Sequence, residues 1–137
     1  METEHVDDSV RMLVVDAANV VGSRPDGWWR DRAGAARRLL TGLAALREHL
    51  PHSCEVVVVL EGAAKAVDDN EFRNIRVVRA AGSGDDAIVA VTAEHGDHAQ
   101  VLVVTADRGL RARIEALGAR TTGPRRLLDR IDSAGNP

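Results

Sequence analysis

Four short runs of apolar, mostly β-branched residues constrain this chain more than any other feature. They are Met12-Leu13-Val14-Val15, Val56-Val57-Val58-Val59-Leu60, Ile75-Arg76-Val77-Val78 and Val101-Leu102-Val103-Val104. They do not alternate apolar with polar residues, so both faces of each strand are expected to be covered. Parallel strands sandwiched by helices have that habit. Ala119 to Thr122 is expected to add a short edge strand. Between the runs lie helical patterns. From Asp31 to Leu50, Ala36, Leu39, Leu40, Leu43, Leu46 and Leu50 recur every three or four positions, and Pro51 stops the helix. Asp85 to Glu94 carries Ile88, Val89 and Val91. Arg108 to Leu117 carries Leu110, Ile114 and Leu117 and ends at Gly118. Pro124 opens a last helix with Leu127, Leu128 and Ile131. Alternating strands and helices predict an α/β fold, a doubly wound three-layer α/β/α sandwich with a central, mostly parallel sheet.

The 137 residues suit one domain, expected over 11–132, with flexible ends at 1–10 and 133–137. No apolar run approaches the ~20 residues that span a bilayer. The start is acidic and polar, unlike a signal peptide. Cys54 is the only cysteine, which rules out an intrachain disulfide and a cysteine-based zinc site. A cytoplasmic location is therefore expected. The net charge of −3 does not advertise a nucleic-acid binder, and Lys65 is the only lysine among many arginines. Where those arginines sit matters more than their number.

In open parallel sheets, ligands bind beyond the carboxyl ends of the strands. The first run is followed by Asp16 and then Asn19, and the second by Glu61. The third is followed, across Ala81-Gly82-Ser83-Gly84, by Asp85 and Asp86, and the fourth by Asp107. Each acid has an ordinary explanation. Asp85 and Asp107 can cap helices, Asp86 suits a first helical turn, Asp16 can hold a turn, and Glu61 can point into solvent. Together they are harder to dismiss, because carboxylates gathered on one rim repel one another unless a cation joins them. Oxygen ligands select Mg2+ or Mn2+ over softer metals, and such an ion can activate water against a phosphodiester. Spacing alone does not say whether the substrate is RNA, DNA or a nucleotide.

At these residues the sequence resembles the PIN-like nucleases, in particular the NYN-domain branch. The matching segments are Val14-Val15-Asp16-Ala17-Ala18-Asn19-Val20, Gly82-Ser83-Gly84-Asp85-Asp86 and Val103-Val104-Thr105-Ala106-Asp107-Arg108-Gly109, and the likeness runs from Met12 to Ile131. The resemblance implies a metal-dependent ribonuclease with RNA as partner. Asp16, Asp85 or Asp86, and Asp107 would bind Mg2+ or Mn2+. Asp16, Asp86 and Asp107 would be catalytic, and Asn19 would orient Asp16 or a phosphate. Family members often carry a further acid about a turn after the last one, where this chain has Arg111. That departure favours one ion over two.

Arg24 to Arg32 is expected to lie on the same rim. There Trp28, Trp29 and Arg30 can stack bases and contact phosphate, although at least one tryptophan is expected to pin the loop by packing. Ser83, Arg108 and Arg111 are further candidates for contact with substrate. The five histidines form no ligand set, and His95 and His98 are expected to be solvated. Two other chemistries place acids at strand ends. A receiver-type domain needs paired acids after its first strand and a later lysine, and a haloacid-type phosphatase needs an acid where this chain has Ala18. A catalytically silent RNA- or protein-binding module with the same fold also remains open, as does a homo-oligomer.

Overall fold

A computed structural model describes residues 9–134. The flexibility expected for 1–8 and 135–137 lies outside the described residues. Five strands form one sheet: β1 (Met12–Asp16), β2 (Glu55–Leu60), β3 (Arg76–Arg79), β4 (Val101–Val104) and β5 (Arg120–Thr122). Their order is β3-β2-β1-β4-β5, and every pair is parallel. The helices are α1 (Ala17–Gly22), α2 (Arg32–Arg47), α3 (Gly84–Glu94), α4 (Arg108–Ala116) and α5 (Pro124–Ala134). No helix among the described residues is long and apolar enough to cross a membrane.

The unbroken valine runs are explained by the two cores. Successive side chains of a strand point to opposite faces. Leu13, Val15, Val56, Val58, Leu102 and Val104 pack under α1, α2 and α5. Met12, Val14, Val57, Val59, Val101 and Val103 pack under α3 and α4 with Ile88, Val91, Leu110 and Ile114. Leu40 of α2 is fully buried at the centre of the first core. Leu40→Ala is expected to lower the unfolding free energy by about 3 kcal/mol, from lost burial plus the cavity left behind. A denaturant melt checks this.

Several boundaries differ from the sequence expectation. The helix expected from Asp31 begins at Arg32, because Asp31 is its cap and accepts from the Gly34 N–H. It ends at Arg47, short of Pro51. The third strand is shifted by one residue, with Ile75 buried just before it. The expected Asp85 cap of α3 is Ser83, whose side chain accepts from the Asp86 N–H at 3.1 Å. His98, expected in solvent, is half-buried and donates from Nδ1 to the Leu117 carbonyl at 2.8 Å.

The topology locates the site. From β1 the chain adds β2 and β3 on one side of the sheet, then returns to lay β4 and β5 on the other. The order therefore reverses between β1 and β4. In open α/β sheets that reversal opens a crevice at the carboxyl ends of the strands. Asp16 ends β1, and Thr105-Ala106-Asp107 follows β4, so both border it.

Candidate active site

Asp16 is only 5% exposed at the end of β1. Its Oδ1 accepts from the Asn19 N–H at 3.3 Å and caps α1, and its Oδ2 accepts from the Thr105 hydroxyl at 2.8 Å. The fully buried Thr105 hydroxyl also accepts from the Asp107 N–H, at 3.2 Å. Asn19 Oδ1 accepts from the Ala106 N–H at 2.8 Å, and Asp107 Oδ1 caps α4 through the Leu110 N–H at 2.9 Å. The turns after β1 and β4 are thus stitched together across the crevice. The ordinary capping roles of Asp16 and Asp107 are real, and they are what fixes the two carboxylates in place.

Burial pushes the Asp16 carboxyl above its usual pKa, and the nearby charges of Asp85 and Glu61 push the same way. The Thr105 and Asn19 hydrogen bonds oppose them. Asp85 is also raised, by desolvation, then by Asp107 and Glu61, with Asp86 adding less and Arg113 opposing. Four acids from four strand ends therefore act on one another: Asp16, Glu61, Asp85 and Asp107. Among the described residues, however, no group of three His, Cys, Asp or Glu side chains is arranged to hold one ion.

Asp86, expected in the same cluster, is placed apart. Its side chain is 74% exposed and pairs with Arg113 at 3.0 Å. Helical spacing accounts for the difference. Asp85 lies on the same stripe as Ile88 and Thr92, which are buried, whereas Asp86 lies one residue around the helix. That signal was present in the sequence. Glu61, expected to be the weakest candidate, is half-buried, and its Oε1 sits 2.5 Å from where a Cβ on Gly84 would be. Gly84 leaves room for this carboxylate beside the first turn of α3. Gly84→Ala is expected to move Glu61, the flexible partner, and lower cleavage about tenfold. The melting temperature should hold within a few degrees, because alanine suits a helix better than glycine. Steady-state kinetics and a thermal melt read the two effects.

Of the expected substrate contacts, Asn19 borders an open groove of about 620 Å3 that reaches Ala106, Trp28, Arg24 and Arg125. Trp28 is half-buried with the Arg32 guanidinium 5.1 Å from its ring centre, and Trp29 is 54% exposed with Arg30 at 5.7 Å. The loop expected straight after β1 is preceded by α1, a helix too short to show a pattern. Arg108 is exposed beside Asp107. Arg111 turns toward β5, donating from Nε to the Thr121 hydroxyl at 3.0 Å, and lines a neighbouring groove with Arg125. The Ser83 hydroxyl is occupied as the α3 cap.

The family model for the YacP-like NYN domain matches residues 13–137, nearly the whole chain. The chain belongs to the YacP-like NYN domain family. That family is one of ribonucleases, so the receiver and haloacid readings fall away. No curated protein sequence matches this NYN domain. Crystal structures of Rae1 (YacP) from Bacillus subtilis share its fold. A tryptophan-to-leucine mutant aligns at a TM-score of 0.75 and 20% identity, over 92% of this chain and 77% of that one. A second Rae1 (YacP) structure aligns at 0.72 and 22%, over 90% and 75%.

Proposed function

We propose that this NYN domain hydrolyses phosphodiester bonds in RNA, at Asp16, Asp85 and Asp107 with Glu61 beside them, using Mg2+ or Mn2+. The observation that carries the reading is the burial of Asp16 among like charges at the topological switch point. Such a cluster is costly for folding alone. The donor chemistry suits a hard divalent cation, since every group is a carboxylate. Mg2+ commonly takes one or two carboxylates and completes its shell with water and phosphate oxygens. When bound, such an ion supplies positive charge to the phosphoryl oxygens and makes an attacking water more acidic.

The chain's own residues do the positioning. Thr105 and the Asn19 N–H hold both Asp16 oxygens. With its carbonyl oxygen committed to the Ala106 N–H, the Asn19 amide NH2 is left to donate to a phosphate in the groove. Asp107, exposed and fixed as a cap, can orient water. Arg125 along the groove suits the backbone of the strand, while Arg24 there is paired with Asp132 at 3.0 Å. Asp86 stays outside this set, paired with Arg113. A cytoplasmic setting, where RNA is present and a lone cysteine stays reduced, accompanies the reading.

One observation favours a second reading, a silent RNA-binding module: no described trio of groups is arranged to hold an ion. Incubation of the protein with single-stranded RNA and Mn2+, beside an Asp16→Asn preparation, separates the two. Cleavage by the first preparation alone supports the nuclease. Metal-independent binding without cleavage supports the module.

A further inference from the structure

A second cavity, of about 260 Å3, adjoins the acidic rim. Its lining includes Trp28, Arg32, Glu61, Ala18, Gly62 and Ala64. Trp28 and Ala18 also line the large groove, so the indole is a wall common to both spaces. Small residues create the room. Gly62 has a positive φ of 60°, and nothing lies within 4 Å of where its Cβ would be. Trp28 belongs to neither hydrophobic core. It is nevertheless held, against Gly22, with a ring carbon 3.6 Å from the Gly22 Cβ position, and edge-on to Trp29 at 6.1 Å. A half-exposed tryptophan fixed in a cavity wall, with the Arg32 guanidinium 5.1 Å over its ring, offers a flat stacking surface. At the same cavity, Arg32 offers only donors and Glu61 only acceptors.

We propose that this cavity is a subsite for one unpaired nucleobase, belonging to the nucleotide next to the scissile phosphate. The proposal rests on the nuclease reading for the identity of its ligand. A base suits this arrangement: its π-face stacks on the layer formed by Trp28 and the Arg32 guanidinium that lies 5.1 Å over that ring, and its edge presents donors to Glu61. Glu61 belongs to both the carboxylate cluster and the cavity, so a base seated here places its own phosphate at the acids. A base held in a helix cannot enter, so the site selects single-stranded RNA.

The test uses short single-stranded RNAs carrying the fluorescent base 2-aminopurine at each position in turn. They are bound with Mn2+ to Asp107→Asn protein, in which cleavage is blocked and asparagine still caps α4. Emission is expected to be quenched by stacking at one position. Ala64→Leu, added to fill the cavity, is expected to abolish that quench and weaken binding about tenfold, within the range of one base stack. If Ala64→Leu lowers the melting temperature too far, Trp28→Leu, which keeps bulk without an aromatic face, is read in its place with the same expected loss. Quenching at no position, or quenching unchanged in both variants, overturns the subsite. Position-specific quenching, with no RNA cut by the unmodified protein, keeps the subsite and ends the nuclease reading. Cleavage by the unmodified protein without such quenching does the reverse.

Discussion

Asp16→Asn protein is expected to lose RNA cleavage by about 1000-fold or more while melting no lower than the unmodified chain. The catalytic loss follows from the position of Asp16 at the switch point, with both oxygens fixed by Thr105 and Asn19. Losing a charge that holds a cation against phosphate removes several kcal/mol of transition-state stabilisation. The stability result follows from the same burial. An ionised Asp16 is disfavoured by desolvation and by Asp85 and Glu61, so a neutral isostere removes a destabilising charge from the metal-free protein. An amide oxygen can still accept one of the two hydrogen bonds. Activity lost together with fold would mean that Asp16 is structural. Activity retained would move the chemistry elsewhere. Single-turnover cleavage and calorimetric melting on one preparation give both numbers.

Removal of divalent ions is expected to have an effect of similar size. EDTA should abolish cleavage, and Mn2+ or Mg2+ should restore it. The pH dependence has a definite sign. Asp16 and Asp85 have pKa values above the ordinary 3.8 in the folded protein. Between 3.8 and those raised values the folded state binds more protons than the unfolded state. These two groups therefore stabilise the metal-free protein at low pH, and that contribution is lost as pH rises through the folded pKa values. Cation binding requires the ionised forms, so it runs the other way. The rise in melting temperature given by Mn2+ should be full near neutrality and fade as pH falls through the same window, and cleavage should fall with it. A pH profile of melting with and without Mn2+ checks this. A gain independent of pH would place the ion at other ligands.

Much of this was legible in the sequence because the signals are local. Runs such as Val56–Leu60 can be stable only when covered on both faces, and acids immediately after them must fall on one rim. The placement of Asp16 and Asp107 beside the crevice was legible in this way. The choice between Asp85 and Asp86 depends on which side of α3 meets the sheet. The spacing to Ile88 and Thr92 encodes it, although adjacent acids look equivalent in a linear reading. Glu61 was harder. Its inward placement depends on the missing side chain of Gly84, more than twenty residues away and brought near only by the β3–α3 turn. The role of Thr105 was likewise hidden, since a threonine after a strand gains meaning only when a carboxylate 89 positions away accepts a hydrogen bond from its hydroxyl. The cavity beside Trp28 is an absence of bulk contributed by separated alanines and glycine, which no linear pattern displays.

Titration of Mn2+ into the protein by calorimetry at neutral pH, repeated with Asp16→Asn and with Asp86→Asn, addresses the shared-cation site most directly. Saturable binding that disappears with Asp16→Asn and persists with Asp86→Asn is the expected result. Equal binding by all three proteins, or none at millimolar Mn2+, would contradict it.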